Sequence, residues 1–382
     1  MRCCLLSTNL ESGGAERQIV QLARHWPTDE VPLEIVLLER RGAWLDEIPD
    51  AVPVHALFER LPQRVGAQML RLPSAVRRLR RAVEGGGYDV IVPFLWLPAV
   101  LAARVLRSQG SERPSLAYSV QSDLARDFRL HADGFVRRQV ACLTLPRAVD
   151  VYFPLSEGVA QRTADLLRVP MERFEVIPNS TEIDRITALA ERDPVPALNR
   201  GMRLVSVGRL HPAKGTEDLL LALARLREAG ERFKCLVLGE GALRPFLEQR
   251  IRRLALGDCV QLLGHAANPY AYVRSADVFV SASRWETFGI AILEAMALGR
   301  PVVATRTDGA VDLIEDGATG LVVPVGDTDA MTQALQSLSR DPALRARLGA
   351  AASDRARAYD ARVVTERFVN AVRNVAGRQG VR

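Results

Sequence analysis

Short apolar runs alternate with longer amphipathic segments along the whole chain. The runs are rich in Val, Ile and Leu, as strands buried on both faces are, and segments such as "GAERQIVQLARHW" carry apolar residues at helical spacing. This alternation predicts a parallel sheet with helices on both sides. The strands predicted in the first half are Cys3–Ser7, Leu33–Leu38, Val90–Phe94, Leu116–Val120, Val151–Pro154 and Glu175–Ile177.

The pattern stops at residues 187–201 and then restarts. This stretch, "TALAERDPVPALNRG", contains two prolines and no apolar period, so it predicts a linker. Beyond it, strand patterns such as "RLVSVG", "FKCLVLGEG" and "DVFVSAS" again alternate with helical patterns. We therefore expect an α/β protein of two Rossmann-like, doubly wound domains, over residues 1–185 and 200–360.

The composition favours a soluble cytoplasmic protein. At 382 residues the chain is long enough for two cores, and its 48% apolar and 25% charged residues are typical of globular enzymes. Five cysteines without CxxC spacing argue against disulfides and structural zinc. The apolar run at the start is too short for a signal peptide. Residues 90–106, interrupted by Pro93, Pro98 and Arg104, indicate a strand and a helix rather than a membrane span.

The distribution of charge draws attention to one loop of the second half. The net charge is +6, and two of the 51 basic residues, Lys214 and Lys234, are lysines. "VGRLHPAKG" follows the first strand of the second domain and places Arg209 five residues before Lys214. Ligands of doubly wound sheets bind at such strand ends, and two cations there suit a diphosphate. A solvated loop is the alternative interpretation of this stretch alone.

A second strand-end segment, "RWETFGIAILEAMALG", combines a helix start with two carboxylates. Thr287 is the predicted N-cap, Glu286 precedes it, and Glu294 lies among apolar residues in the middle of the helix. Backbone N–H groups at a helix N-terminus bind anions. Here those groups belong to Phe288, Gly289 and Ile290. A buried carboxylate requires hydrogen-bond donors, which ligand hydroxyls, backbone groups or an arginine can supply.

Together these segments suggest a nucleotide-sugar site. The cations and the helix N-terminus would hold the diphosphate, and the two glutamates would accept hydrogen bonds from sugar hydroxyls. "SGGAER" adds the adjacent Gly13 and Gly14 near the N-terminus, where backbone can approach a ligand closely. A Gly-Gly turn by itself is more often only a turn.

The order of these motifs resembles that of one family over essentially the whole chain. "SGGAER", "IPNSTEID", "VGRLHPAKG", "LGEG", "ETFGIAILEAMALGRPVVAT" and "DGATGLVVP" occur as in the retaining glycosyltransferases of family four, which have the GT-B fold. Glu286 and Glu294 match that family's E-x7-E signature, and the likeness is most specific in the second half. Many members carry a histidine after the strand predicted at 116–120, where this chain has Gln121 or Ser122 as candidate donor-sugar contacts.

The resemblance implies a role for each candidate in the second half. Glu286 would contact the donor sugar and Glu294 the ribose hydroxyls. Arg209 and Lys214 would hold the diphosphate, together with the backbone of residues 288–290.

The same resemblance implies roles for several backbone segments. Gly13 and Gly14 would form a loop beside the phosphates and the acceptor. The backbone near Gly239, Gly241 and His265 would meet the base. A C-terminal helix, about residues 361–382, would cross back onto the first domain.

Metal chemistry is not expected from this sequence. "DTD" at 327–329 is similar to the metal-binding carboxylates of other glycosyltransferases, but its position before "AMTQALQSL" indicates a helix cap. The five histidines have no ligand spacing, and the resemblance implies no metal.

Residues 59–84 contain seven arginines and two acidic residues, interleaved with Leu, Met and Val. A basic amphipathic segment of this kind is typical of a contact with the inner-membrane surface, and an ordinary solvated helix is an equal alternative. Nucleic-acid binding is not indicated, because no aromatic interleaving or known motif accompanies the arginines.

The expected function is metal-independent, retaining hexosyl transfer from a nucleoside diphosphate sugar, with a UDP-sugar favoured, to a saccharide acceptor. By analogy with bacterial members, the acceptor would be lipid-linked and the product a surface polysaccharide, exopolysaccharide or lipopolysaccharide. The protein would be cytoplasmic or peripheral on the inner membrane and need no cofactor besides this co-substrate. The alternatives are a non-catalytic nucleotide-sugar-binding GT-B protein and another GT-B enzyme, such as a nucleotide-sugar epimerase.

Overall fold

The computed structural model describes residues 1–11, 13–60, 65–110, 113–192 and 201–377. The chain divides into two compact units. The N-terminal unit consists of Met1–Ser180 with Ala361–Arg382, and the C-terminal unit consists of Thr181–Asp360.

A six-stranded parallel sheet in the order β3-β2-β1-β4-β5-β6 forms the centre of the N-terminal unit. Its strands are β1 (Cys3–Ser7), β2 (Leu33–Glu39), β3 (Val54–Phe58), β4 (Val90–Pro93), β5 (Ser115–Val120) and β6 (Val151–Pro154). The helices are α1 (Gly14–His25), α2 (Val65–Gly86), α3 (Trp96–Leu106), α4 (Leu124–Leu130), α5 (Gly134–Ala148), α6 (Glu157–Leu167) and α15 (Ala361–Gly377).

Successive side chains of these strands enter two different cores. Cys4 and Leu6 of β1 pack in a cluster with side chains of α2, α3 and α5. Cys3 and Leu5, one position earlier in each case, pack in a second cluster with α1 and α15. Because strand side chains alternate between faces, a strand covered on both sides must be apolar throughout, as the sequence pattern required.

Two strand predictions in this unit were wrong. The edge strand β3 was missed, because only Leu57 and Phe58 of its five side chains are buried and the exposed His55 interrupts the apolar run. Residues 175–177 are not a strand, although Glu175 N donates to Tyr152 O at 2.9 Å and Ile177 N to Pro154 O at 2.9 Å. Pro178 follows and has no N–H group with which to extend the ladder.

The C-terminal helix α15 completes the core of the N-terminal unit. Phe368 is 2% exposed, and its ring lies 5.5 Å from that of Phe153, 6.1 Å from Trp26 and 6.3 Å from Phe94. Ser115 Oγ also donates to Val375 O at 3.3 Å. Residues 378–382 of the predicted helix lie outside the described residues.

The C-terminal unit contains a second six-stranded parallel sheet, in the order β12-β11-β10-β7-β8-β9. Its strands are β7 (Met202–Val207), β8 (Phe233–Leu238), β9 (Val260–Gly264), β10 (Val278–Ser281), β11 (Val302–Thr305) and β12 (Leu321–Val323). The helices are α7 (Ile183–Arg192), α8 (Thr216–Glu228), α9 (Arg244–Arg253), α10 (Tyr270–Ser275), α11 (Ile290–Ala297), α12 (Asp308–Leu313), α13 (Thr328–Arg340) and α14 (Pro342–Ala356).

The predicted linker begins with helix rather than with irregular chain. Residues 187–192 belong to α7, which buries Ile186 and Ala190 and packs against α10. These two positions are four residues apart and therefore lie on one helical face, a spacing too short to stand out in the sequence. Residues 193–200 of the prediction lie outside the described residues.

Within the described ranges, none of the helices combines the length and the apolar character that crossing a bilayer requires.

We predict that Phe368→Ala lowers the free energy of unfolding of the N-terminal unit by about 3–5 kcal/mol, because it leaves a cavity among three aromatic rings. Urea denaturation, monitored by tryptophan fluorescence, measures this change, since Trp26 contacts Phe368. Val363→Ala, at a position of the same helix that is 50% exposed, is the control and should change stability by less than about 0.5 kcal/mol. Equal losses for the two variants would contradict the packing role of α15.

Candidate active site

The strand order of the C-terminal unit reverses between β7 and β10. These neighbours have helical connections that run to opposite sides, so a crevice opens at their carboxyl ends, which is where doubly wound sheets bind ligands. The loop of residues 208–215 leaves β7 there, and the loop of residues 282–289 leaves β10. A small cavity is lined by Ser206, Val207, Gly208, Lys214, Thr216, Val237, Ser281, Ala282 and Ser283.

The two loops approach each other very closely. Gly215 has φ of +57°, and a Cβ atom there would lie 1.9 Å from the carbonyl oxygen of Ala282. Arg284 N donates to Ala213 O at 2.8 Å. Glycine is therefore required at position 215 for its left-handed backbone and for the missing side chain.

An ion pair that sequence reasoning missed also joins this loop to α8. The Arg284 guanidinium donates two hydrogen bonds of 2.9 Å to the buried carboxylate of Asp218. These bonds raise the pKa of Arg284 above its usual value. The planar, two-bond geometry fixes the course of the loop that leads to the first predicted glutamate.

Lys214 and Glu286, predicted from separate motifs, are in direct contact. Lys214 Nζ donates a hydrogen bond to Glu286 Oε2, and Ser283 Oγ lies 3.5 Å from the same oxygen. The side chains are 27% and 21% exposed, so both groups of the pair remain accessible to a ligand. Arg209 is exposed on the same loop as Lys214.

Helix α11 begins later than predicted. Its N-cap is Gly289, with φ of +87° and no side-chain hydrogen bond, so the prediction of Thr287 as the cap was wrong. The left-handed residue turns the chain before the helix starts at Ile290, and the N–H groups of Ile292 and Leu293 donate to Gly289 O. The N–H groups before them have no acceptor within the helix, as at any helix start.

Buried neighbours hold the segment that precedes α11. Phe288 is 2% exposed, and Gly309 lies so close that a Cβ there would be 2.0 Å from Phe288 O. Gly309 N donates to Glu286 O at 3.2 Å. The backbone of residues 286–290 is therefore fixed by packing from α12.

The second glutamate is buried with a specific partner. Glu294 is 7% exposed, and Tyr270 Oη donates to its Oε1 at 3.0 Å. Tyr270 N in turn donates to Asn268 Oδ1 at 3.2 Å, and Asn268 Nδ2 donates to Leu189 O at 2.7 Å. A chain of hydrogen bonds thus runs from α7 to the carboxylate on α11, and sequence reasoning missed it.

The predicted base-binding glycines hold neighbouring loops together. A Cβ at Gly239 would lie 2.0 Å from Gly208 O, and one at Gly241 would lie 2.3 Å from Leu210 O. Gly239 N donates to Gly264 O at 2.7 Å, immediately before the exposed His265. These residues therefore lie beside the loop that carries Arg209.

Four further candidates belong to the N-terminal unit. Gly13 is the N-cap of α1, and Gly14 is the first residue of that helix. Gln121 and Ser122 follow β5, and Gln121 Nε2 donates to Ser119 Oγ at 2.8 Å. Gln121 Oε1 is a buried acceptor without a hydrogen-bond partner in the described part of the chain.

Ser122 contacts a carboxyl group in the first turn of α4. Burial raises the pKa of Asp127 above its usual value, and a hydrogen bond from Ser122 partly offsets this effect. Gln121 and Ser122 thus both have neighbours within their own unit.

The carboxylates of "DTD" have a structural role. Asp327 is the N-cap of α13, and its Oδ1 accepts a hydrogen bond from Ala330 N at 2.9 Å. The helix-cap interpretation is confirmed. Among the described residues, no three His, Cys, Asp or Glu side chains are grouped as ligands for a metal ion.

Comparison with known proteins agrees with this geometry. The family model "Glycosyltransferase Family 4" matches residues 12–185, and "Glycosyl transferases group 1" matches residues 191–355. Phosphatidyl-myo-inositol mannosyltransferase of Mycobacterium leprae is 34% identical over 388 residues, covering 95% of this chain and 94% of that protein.

Two further proteins extend the comparison. The N-acetylgalactosamine-N,N'-diacetylbacillosaminyl-diphospho-undecaprenol 4-alpha-N-acetylgalactosaminyltransferase of Campylobacter jejuni is 28% identical, covering 92% of this chain and 94% of its own. The crystal structure of Anabaena Alr3699/HepE in complex with UDP superposes with a TM-score of 0.80 at 21% identity, covering 98% of this chain and 100% of that one.

Two doubly wound parallel sheets, one of them with a charged site at its switch point, define the GT-B fold. The chain belongs to glycosyltransferase family 4. The predicted fold, family and sugar-transferring activity are confirmed, and a binding protein without activity or an epimerase is not favoured.

We predict that Gly215→Ala lowers the free energy of unfolding about 1–3 kcal/mol more than Gly230→Ala does. Both glycines have positive φ, +57° and +82°, but a Cβ would overlap Ala282 O at position 215 and meet nothing within 4 Å at position 230. Urea denaturation of the two variants measures the difference. Equal destabilisation would show that the close approach of the two loops adds nothing to left-handed strain.

Proposed function

We propose that this glycosyltransferase transfers a hexose from a UDP-sugar to a lipid-linked saccharide and that the product keeps the anomeric configuration of the donor. The observation that carries the proposal is the Lys214–Glu286 pair at the carboxyl ends of β7 and β10, beside the start of α11. The resemblance to the E-x7-E signature supports the assignment of these residues.

Lys214, Arg209 and the backbone of residues 288–290 would bind the diphosphate. Lys214 can donate to a phosphate oxygen and to Glu286 together, because an ammonium group has three donors. Fixed positive groups that face the leaving diphosphate stabilise the charge that develops as the bond to the sugar breaks. Glu286 would then accept hydrogen bonds from the donor sugar.

Glu294 would accept hydrogen bonds from the ribose hydroxyls. The bond from Tyr270 supports this role, because it fixes one carboxylate oxygen in a buried setting. The backbone at Gly239, Gly241 and His265 would meet the base, and the close packing of that loop on residues 208–210 supports a fixed shape there.

In the N-terminal unit we assign Gly13 and Gly14 to a ligand-facing loop. Gln121 and Ser122 are the proposed donor-sugar contacts. The buried Oε1 of Gln121 supports its assignment, because a sugar hydroxyl would supply the donor that this acceptor lacks among the described residues.

The names of related proteins support the choice of substrates. The Anabaena protein was crystallised with UDP, which favours a uridine nucleotide here. The Campylobacter protein is named for a saccharide on diphospho-undecaprenol and the mycobacterial one for phosphatidyl-myo-inositol, which favours a lipid-linked acceptor. These substrates support a role in cell-surface polysaccharide synthesis.

A lipid-linked acceptor requires access to the inner-membrane surface. Residues 77–81 of α2 place four arginines on exposed positions of the predicted basic segment. Arg78 stacks on Phe58, 4.5 Å from its ring centre, and Arg77 and Arg81 are exposed. We assign this helix to the inner-membrane surface; residues 61–64 of the segment lie outside the described residues.

We predict that Lys214→Ala and Glu286→Ala each lower kcat/KM at least about 100-fold with the preferred donor, because both remove a group that faces the reacting sugar phosphate. The assay is transfer from a panel of nucleotide sugars to a membrane extract, with the product's anomeric configuration read by NMR. Lys234→Ala is the matched control. This lysine lies at the amino end of β8, where it donates to Asp258 O, whereas the site loops lie at the carboxyl ends of the strands. Its loss should leave the rate within about twofold.

Two outcomes would contradict the proposal. An inverted product would exclude retention. Binding of UDP without consumption of any donor would favour a nucleotide-binding protein.

We predict that Tyr270→Phe weakens binding of UDP about three- to tenfold but leaves binding of 2',3'-dideoxy-UDP within about twofold, because the hydroxyl acts through Glu294 on the ribose hydroxyls. Calorimetry with the two nucleotides measures this split. Tyr272→Phe, two residues along the same helix and so on another face, is the control. An equal loss for both nucleotides would indicate a structural role for Tyr270 only.

A further inference from the structure

The N-terminal unit exposes a cluster of large apolar side chains around α5. Leu130 is 62% exposed, Phe135 75%, Val136 52% and Leu143 56%. Four of the ten large apolar side chains exposed in the described residues thus fall within one stretch of 14 residues. We call these four side chains the α5 face.

The fold does not require apolar residues at these positions. Helix α5 packs inward through Ala141, Leu145 and Ala148, which are at most 2% exposed and belong to the cluster shared with α2 and α3. Val136 and Leu143 are seven residues apart and therefore lie on one stripe, on the side of the helix opposite to this core. The inward face alone accounts for the position of α5.

Positive charge surrounds the α5 face. Arg129, Arg138 and Arg147 are exposed, and Arg147 lies four residues after Leu143 on the same stripe. Asp133 is the single acidic residue between Arg129 and Arg147, and it forms an ion pair of 2.8 Å with Arg137. The four arginines and one aspartate of this stretch give a net charge of +3.

We propose that the α5 face docks on an anionic lipid surface, with Phe135 and Leu143 entering the boundary between headgroups and acyl chains. Exposed apolar side chains flanked by arginines suit such an interface, since the guanidinium groups reach phosphates while their stems remain apolar. A symmetric contact with a second copy would bring the arginines of both copies together, so the charge disfavours self-association.

The α5 face extends the membrane contact of α2 to a second helix of the same layer. Side chains of α2, α3 and α5 share one cluster, so the three helices cover the same side of the sheet. The proposal rests on the proposed function only for its purpose, which is to bring the enzyme to an acceptor held in a bilayer.

The test is sedimentation of the full chain with vesicles of phosphatidylcholine alone or with 30% phosphatidylglycerol. Wild type is expected to bind the anionic vesicles at least about tenfold more tightly than the neutral ones. The double variant Phe135→Ser/Leu143→Ser is expected to bind the anionic vesicles about tenfold more weakly than wild type. Val363→Ser is the matched control, because this valine of α15 is 50% exposed in the same unit. Equal melting temperatures of all three proteins would show that each is folded.

Three results would overturn the proposal. The first is that wild type binds neither kind of vesicle. The second is that the double variant binds as tightly as wild type. The third is that wild type sediments as a dimer that the double substitution dissociates. Vesicle binding is measured without nucleotide or acceptor. Failure of this docking surface is therefore distinguishable from failure of the proposed transfer, which the donor assay reports, and from failure of the α2 contact, which Arg77→Glu/Arg81→Glu tests separately.

Discussion

The close approach of two backbone segments at the end of the second sheet determines the geometry of the site. Gly215 allows the loop after β7 to come within contact of Ala282 O at the end of β10. With the loops at this separation, Lys214 of one reaches Glu286 of the other. A larger residue at 215 would move the loops apart, and Lys214 and Glu286 would then no longer share a hydrogen bond.

The carboxylate in the middle of an apolar helix follows the rule for buried charge. Glu294 is tolerated on α11 because Tyr270 donates to it, and Tyr270 is itself positioned through Asn268. Arg274 of α10 also pairs with Glu191 of α7 at 3.2 Å. Helix α10 is thus held at both ends, which keeps the hydroxyl of Tyr270 directed at the carboxylate.

The sequence supported prediction of those features that depend on local pattern or on position relative to a strand end. Except for the edge strand β3, the strands of both sheets stood out as apolar runs, and Lys214 and Glu286 stood out because each follows a strand of the switch point. Features that depend on contacts between distant segments could not be predicted. The Arg284–Asp218 ion pair joins positions 66 residues apart, and nothing in either local sequence marks the partner.

Errors at element boundaries have equally specific causes. Thr287 has the side chain of a good N-cap, but Gly289 adopts a left-handed conformation and delays the helix by two residues. The edge strand β3 escaped notice because an edge strand needs less apolar surface than a central one. Secondary-structure propensity is a property of a single residue, whereas the start of α11 and the formation of β3 depend on the segments that surround them.

Helix α15 also has a consequence for the order in which the protein forms. The N-terminal unit takes Phe368 from α15, so its core stays incomplete until the chain has been synthesised through this helix. The C-terminal unit is a continuous segment, Thr181–Asp360, whose two ends meet through Thr181 N and Tyr359 O at 3.1 Å. The unit made second on the ribosome is therefore the first that can close, reversing the usual order in which domains fold from the N-terminus.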